Sequence, residues 1–309
     1  MKRLIFLLTV GCIAPFASAQ TIDAFYSGNY SFVDLGSVAD VPANYGGLTL
    51  LAGDNNKLLI GGAANGSSGK LYQVDVNRDG SGHIISFGAS STVYADAPYN
   101  DGGVTYGPNN VLFASQWPVN KLSEYKPGST TPDKVIDMAA LGVANSHSAL
   151  MFAPVGRAYS GKMKVSSYGG GQFYDAIYAS DGLGTFDITG VTQTATLTGS
   201  PEGFVYVPLG SSLFGDSLLV SEYGAGNVAT YDVDANGDPI VSSRKLFMSG
   251  LTGAEGAMID PVTGDFLFST FGGQNHVIVV HGFAAVPEPA SFAVLGAGAL
   301  VLLRRRRKN

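Results

Sequence analysis

Cysteine is all but missing from this sequence. Its one copy, Cys12, lies in the hydrophobic stretch at the N-terminus, so the body of the chain can form no disulfide, thiolate nucleophile or cysteine-ligated zinc. Charge is scarce too: Asp, Glu, Lys and Arg make up 14% of residues, against a usual share of about a quarter. Seven of the 18 basic residues sit at the two ends, leaving 11 against 23 acidic ones over residues 20–286, a formal balance of −12. That excess excludes a nucleic-acid partner. The four histidines, His83, His147, His276 and His281, show no metal-ligand spacing. No serine stands in a Gly-x-Ser-x-Gly elbow. Clusters such as Gly169-Gly170-Gly171 are turn material rather than nucleotide-binding loops, because no helical pattern follows them.

What is abundant is glycine, with 42 residues, alongside Val, Tyr and Phe, a mixture that suits β-structure with many turns. Four segments begin alike: Asp101 to Pro108, His147 to Pro154, Glu202 to Pro208 and Glu255 to Pro261. Their closing prolines are 46, 54 and 53 residues apart, and a fifth copy without the proline starts at Gly46-Gly47-Leu48. A period near 50 residues with four β-segments per unit is the signature of a propeller. The fourth unit reads as strands Phe204–Val207, Ser217–Tyr223, Asn227–Val233 and Ile240–Met248. The last unit has three, Ala257–Ile259, Phe266–Phe271 and His276–His281, while an orphan strand, Tyr30–Val38, precedes the first unit. The economical solution places that N-terminal strand in the last blade and closes the ring, which removes an exposed sheet edge. The expectation is an all-β propeller over residues 20–283, with five four-stranded blades, or six if the long third unit, 147–199, holds extra strands. Such a length supports a core of its own.

The two ends carry an address. Met1-Lys2-Arg3, the apolar run Leu4 to Phe16, and Ala17-Ser18-Ala19 read as a signal peptide over 1–19, with the mature chain starting at Gln20. A lipoprotein signal ending at Cys12 is disfavoured, because Thr9-Val10-Gly11 lacks the leucine expected three residues upstream. Residues 284–309 form a linker and tail. Val286-Pro287-Glu288-Pro289 is followed by an uncharged run, Ala290 to Leu303, and then by Arg304 to Arg307 and Lys308. The prolines keep their segment extended, and the basic block marks the cytoplasmic side of a membrane. A helix through the run rises only about 21 Å, short of a hydrocarbon core of about 30 Å. The misfit suits a transient anchor; an ordinary C-terminal anchor that is never cut has the same spacing.

These tail residues resemble the PEP-CTERM sorting signal of Gram-negative bacteria. The resemblance implies an exosortase that recognises Pro287, Glu288 and Pro289. It further implies export across the inner membrane, a temporary hold on that membrane, and a final place at the cell surface or in the extracellular matrix, with exopolysaccharide in reach. Pro201 to Phe283 resembles a recurrent propeller of PEP-CTERM proteins through its Pro-Glu-Gly-Phe-Val-Tyr-Val-Pro, Ser-Glu-Tyr-Gly and Asp-Val-Asp-Ala-Asn-Gly-Asp segments. No activity attaches to that resemblance.

Chemistry has two places to sit. In a propeller the innermost strand starts, and the next one ends, at the same face. That brings together the polar residues opening the inner strands (Asp101, His147, Glu202 and Glu255) and the aromatics ending the second strands (Trp117, Tyr168, Tyr223 and Phe271). Glu-Gly at the start of an inner strand resembles the metal-binding Glu-Gly of gluconolactonase-like propellers, where carboxylates from different blades hold a divalent cation; hard oxygen ligands suit Ca²⁺ or Mg²⁺. The plainer reading has these acids cap exposed backbone N–H groups, and the aromatics pack the blades. On the opposite face, Asp75-Val76-Asn77-Arg78-Asp79-Gly80 and Asp232-Val233-Asp234-Ala235-Asn236-Gly237 match the start of a calcium loop. Position twelve is Ser86 or Ser243 instead of Glu, and the flanks are strand-like, so Asp75, Asn77, Asp79, Asp232, Asp234 and Asn236 equally suit polar hairpin turns.

Two functions follow. The first is an exported binding or structural module that requires no cofactor, with calcium the ion it would take. The alternative is a metal-dependent propeller hydrolase or lyase acting on a sugar lactone. They differ in whether carboxylates from three or more blades converge within metal-ligand distance. For the address itself, Glu288→Ala is expected to leave a longer, membrane-retained form in the native host. Unchanged mature mass and release, read by mass spectrometry of cell fractions, would refute sorting through this motif.

Overall fold

A computed structural model describes residues 20–144 and 147–286. The expected signal-cleavage residues Ala17 and Ala19, the sorting residues Pro287, Glu288 and Pro289, and the hydrophobic run expected to form a tail helix lie outside the described residues. No helix among the described residues is long and apolar enough to cross a membrane.

The chain forms five antiparallel blades. Two N-terminal strands, β1 (Thr21–Ile22) and β2 (Ser31–Asp34), come first. Blade 1 is β3 (Leu48–Leu51), β4 (Asp54–Gly62), β5 (Lys70–Arg78) and β6 (Ile84–Asp96). Blade 2 is β7 (Asn100–Tyr106), β8 (Leu112–Gln116), β9 (Lys121–Tyr125) and β10 (Lys134–Asp137). Blade 3 is β11 (His147–Phe152), β12 (Met163–Ser167), β13 (Gln172–Ser180) and β14 (Phe186–Thr196). Blade 4 is β15 (Pro201–Tyr206), β16 (Ser217–Glu222), β17 (Asn227–Asp232) and β18 (Lys245–Ser249). Blade 5 is β19 (Ala254–Ile259), β20 (Phe266–Thr270) and β21 (Val277–His281).

The extra length of the third unit goes into the long pair β13 and β14 rather than into a sixth blade. The expected Ile240 to Met248 strand starts later, because a short 3₁₀ turn at Val241–Ser243 precedes β18.

The ring closes through its first residues. β2 pairs antiparallel with β21, Ser31 opposite His281 and Asp34 opposite Ile278, and so supplies the missing fourth strand of blade 5. The closing strand is shorter than Tyr30–Val38. β1 does something the sequence did not reveal: it adds to β18 as a fifth strand of blade 4, Thr21 opposite Ser249. Between them, Tyr26 and Tyr30 pack against Phe214 and Phe247, with Tyr26 stacked on Phe214 at 5.2 Å.

Five apolar clusters fill the five interfaces between neighbouring blades. Strand periodicity explains how one strand feeds two of them, since successive side chains point to opposite faces. In β4, Leu58 and Ile60 face blade 5 while Leu59 faces blade 2. In β20, Phe266 and Phe268 face blade 4 while Leu267 faces blade 1. With both faces covered, second strands read as unbroken apolar runs instead of alternating ones.

Deleting residues 20–38 removes β1, the closing strand, Tyr26 and Tyr30 together. The expected result is a melting temperature lower by more than about 10 °C, since a few kcal/mol moves a domain of this size that far, or no folded product. A truncated protein melting within a few degrees of the parent in calorimetry would refute the closure.

Candidate functional site at the propeller axis

Near the axis the inner strands are so close that side chains are excluded. A Cβ on Gly102 of blade 2 would run into the Glu202 carbonyl of blade 4, and one on Gly203 into the Glu255 carbonyl of blade 5. A Cβ on Gly47 of blade 1 would sit 2.6 Å from the Gly102 carbonyl. Buried serines of the innermost and second strands stitch the blades together at this level. Ser115 Oγ donates to the Ser148 carbonyl at 2.6 Å and Ser269 Oγ to the Gly46 carbonyl at 2.6 Å. Ser148 Oγ donates to the Pro201 carbonyl at 2.7 Å.

Next to these glycines stand the acids. Asp101, Glu202 and Glu255, from blades 2, 4 and 5, each offer a carboxylate oxygen, and these oxygens lie within 4.8 Å of one another. The residues are 0%, 5% and 1% exposed. Each inner strand carries a β-bulge where its acid sits, and bulges re-aim side chains. The bulges also explain an irregularity of spacing. Asp101 lies seven residues before its proline, Glu202 and Glu255 six. In blade 2 the bulge spans Asn100 to Val104 opposite Gln116 to Ala114, one residue more than blade 4 uses between Pro201 and Phe204 opposite Glu222 to Val220. That added residue lets Asp101 reach the same place.

His147 is not part of this convergence. The bulge of blade 3 lies between His147 and Ala149, so Ser148 occupies the position of Glu202, with Ala149 opposite Ser166 as Gly203 is opposite Ser221. His147 is fully buried, and neither ring nitrogen has a hydrogen-bond partner. Burial pushes it down to about 3, so it is a neutral imidazole. Blade 1 has Gly46 at the equivalent position.

The trio is electrostatically unsatisfied. One oxygen of each acid, Asp101 Oδ2, Glu202 Oε2 and Glu255 Oε1, is buried without a hydrogen-bond partner. Burial pushes Asp101 up to about 7, opposed by hydrogen bonds from Glu255, Glu202 and the Gly102 N–H. Glu202 and Glu255 are raised well above the usual range, first by burial and then by the charge of Asp101. With its amide turned so that the NH₂ faces the acids, Asn65 donates to Asp101 Oδ1 at 3.0 Å. Asn65 carried no sequence signal, since it lies in a loop outside the repeat. Three such carboxylates accept either protons or a cation. Hard oxygen donors from three rigid strands fit Ca²⁺, Mg²⁺ or Mn²⁺.

The aromatics form an arc at the same mouth. Tyr168, Tyr223 and Phe271 are half-buried and meet edge to face, at 5.9 Å and 6.1 Å between centroids. Burial and then the charge of Glu255 raise the Tyr223 phenol, which places that ring beside the acids. Trp117 also follows its second strand but stacks on none of the three, and its indole N–H is unpartnered.

On the other face the matched hairpins use their oxygens locally. Asp79 Oδ1 accepts from the N–H groups of Ser81 and His83, and Asp234 Oδ1 from those of Asn236 and Asp238, as in Asx turns. Asp75 pairs with Lys57 at 2.7 Å, and Asn77 donates to Ser86 Oγ at 3.0 Å. Asp232 Oδ1 accepts from Ser217 Oγ, and Asn236 Oδ1 from Lys162. Asp75 and Asn77 lie in extended strand β5 rather than in a loop.

Comparison with known proteins adds the address. Residues 285–308 match the PEP-CTERM protein-sorting motif. That motif implies export and exosortase sorting, with the C-terminal tail as a transient membrane anchor. No curated protein matches the chain. Among solved structures it is similar to a gluconolactonase from Xanthomonas campestris, with 11% identity over 84% of this chain and 93% of that one, TM-score 0.46. It is also similar to a luciferin-regenerating enzyme, 12% identical over 81% and 82%, TM-score 0.47, and to a streptogramin B lyase, 11% identical over 82% and 98%, TM-score 0.41. At these values the likenesses carry nothing about activity.

The raised carboxylates give a pH signature. The folded protein keeps protons that the unfolded chain releases, so this contribution to stability is whole below about pH 4 and is lost as pH rises through about 7. In chelator, the parent's melting temperature is expected to fall between about pH 5 and 8, and to fall less in Glu202→Gln/Glu255→Gln. Parallel pH profiles for parent and variant, by calorimetry, would refute the coupling.

Proposed function

We propose that this protein is an exosortase-sorted binding module of the cell surface or extracellular matrix, in which Asp101, Glu202 and Glu255 hold a hard divalent cation and the aromatic arc receives a polysaccharide. The observation that carries the reading is the convergence of three buried carboxylates from three blades. Like charges held so close in a water-poor setting repel strongly, and a divalent ion relieves the repulsion without protonation. Calcium fits best, because all-oxygen sites of flexible number are its usual home and exported proteins meet it at high concentration. Tyr168, Tyr223 and Phe271 supply apolar faces beside polar tips, the surface that sugar rings stack on. After export across the inner membrane of a Gram-negative cell, the tail holds the propeller until it is processed, which puts exopolysaccharide within reach.

The acid trio also favours a second reading, a lactone hydrolase or lyase. A cation at the trio would polarise a lactone carbonyl. The near-complete burial of the acids supports the binding module, since a substrate carbonyl needs an open coordination position.

Calcium at 100 times its dissociation constant contributes about 2.7 kcal/mol, which for a domain of this size raises the melting temperature by about 5–10 °C. The parent is expected to show that rise over a chelator control, and Glu202→Gln/Glu255→Gln to show none. Equal melts in all conditions would refute the cation site. A glycan array read in calcium and in chelator tests the ligand, and cation-dependent hydrolysis of sugar lactones by the parent alone would favour the enzyme.

A further inference from the structure

A different cluster lies where the last blade meets the first. His83 follows the Asp79 turn between β5 and β6 of blade 1, Asp265 immediately precedes β20 of blade 5, and His281 ends β21. His83 Nδ1 is 2.6 Å from Asp265 Oδ2, and His281 Nδ1 is 3.1 Å from the same oxygen. The two imidazoles meet edge to face at 4.8 Å. Asp265 is 1% exposed, while the histidine side chains are 34% and 21% exposed, so the carboxylate is sealed behind two rings that solvent reaches.

His83 Nδ1 and Asp265 Oδ2 share a hydrogen bond at 2.6 Å, which accounts for that pair and leaves the rest of the cluster open. Asp265 Oδ1 and His281 Nδ1 are both buried without a hydrogen-bond partner. In the neighbouring ion pair, the terminal nitrogens of Arg78 bond to Asp260 at 2.5 and 3.2 Å. Two imidazole nitrogens and one carboxylate oxygen pointing at one spot form a mixed nitrogen and oxygen donor set. That set suits zinc and its first-row neighbours and does not suit calcium.

We propose that His83, Asp265 and His281 bind a transition-metal ion of the zinc class and thereby join blade 1 to blade 5. Water fills the fourth position, on the exposed side. Ligands at bonds of about 2.0 Å in a tetrahedron stand about 3.3 Å apart, so the ion leaves His281 Nδ1 close to its present 3.1 Å from Asp265 and moves His83 Nδ1 out by roughly 0.7 Å from its 2.6 Å, a shift the exposed His83 ring can give. The consequence is mechanical. The metal ties residues 182 positions apart across the interface where the chain's end meets its beginning. A crosslink over so long a loop removes more freedom from the unfolded chain than a short one, the role a disulfide plays in other exported domains. This site is independent of the axial acids.

The test uses the untagged full chain in detergent, stripped with chelator and titrated with Co²⁺ and then Zn²⁺ at about pH 7.5. The expected result is one equivalent of Co²⁺ with the strong visible absorption of a tetrahedral site, displaced by Zn²⁺, and a higher melting temperature with either metal. His83→Gln and His281→Gln should each weaken the metal at least tenfold. Asp265→Asn is the harsher change because Asp265 is buried. His83→Gln, at the exposed edge, therefore carries the decision, with its circular dichroism checked against the parent. Glu202→Gln/Glu255→Gln should keep the cobalt spectrum. No tetrahedral band, or His83→Gln binding as tightly as the parent, would overturn the site. So would a stabilisation that appears only at acid pH and ignores chelator, which would mark imidazolium pairs on Asp265.

Discussion

Everything near the axis follows from how closely the inner strands approach one another. At the level of Gly102 and Gly203 the blades touch backbone to backbone, and no side chain fits. The residue preceding each glycine is thereby thrust toward the centre. Ring closure and charge convergence are then one constraint: strands near enough to exchange hydrogen bonds through Ser115, Ser148 and Ser269 are near enough to bring carboxylates within 4.8 Å. Mutating a glycine here to relax the acids would break the ring first.

Much of this was legible in the chain. The proline-closed repeat located the blades, and the three-strand last unit forecast the N-terminal strand that pairs with β21. What could not be read has particular causes. β1 is two residues long, too short to show a pattern, and its place in blade 4 depends on Tyr26 and Tyr30 docking onto Phe214 and Phe247. Asp101 looked out of register because a bulge absorbs its extra residue, and bulges leave no mark in composition. The Asp-x-Asn-x-Asp-Gly and Asp-x-Asp-x-Asn-Gly segments admit two readings. Short polar residues before a glycine serve a turn as readily as an ion, and the N–H groups of Ser81 and Asn236 claim the carboxylates here. The His83, Asp265 and His281 cluster had no local spacing to find, since only ring closure brings its parts together.

Both ends of the described chain work on the same seam. β1 belongs to blade 4 and β2 to blade 5, so the first residues bridge two blades as well as closing the ring. The last described segment returns to this spot: Phe283 packs on Tyr30 at 4.6 Å, and Ala284 donates to Ser211 at 3.0 Å. A propeller whose described residues hold no cysteine, and which must persist outside the cytoplasm, concentrates its aromatic packing where its ends meet, where fraying would otherwise begin.

The five equivalent positions at the axis divide in a way that bears on charge. Blades 1 and 3 hold Gly46 and Ser148, whose backbone or hydroxyl groups bond to neighbouring blades. Blades 2, 4 and 5 hold acids instead. The third charge of the trio exceeds what one divalent ion neutralises. Asp101, the acid whose ionised form is helped by hydrogen bonds from both glutamates and from Asn65, is the one suited to be charged first. A cation beside it then leaves a single proton to be shared by Glu202 and Glu255, both raised well above the usual range. In the proposed reading, cation and proton would therefore compete for one small buried site. A sugar stacked on Tyr223, whose phenol feels the charge of Glu255, would sense that competition, so its binding in the proposed reading would vary with pH as well as with calcium, which a neutral aromatic platform alone would not produce.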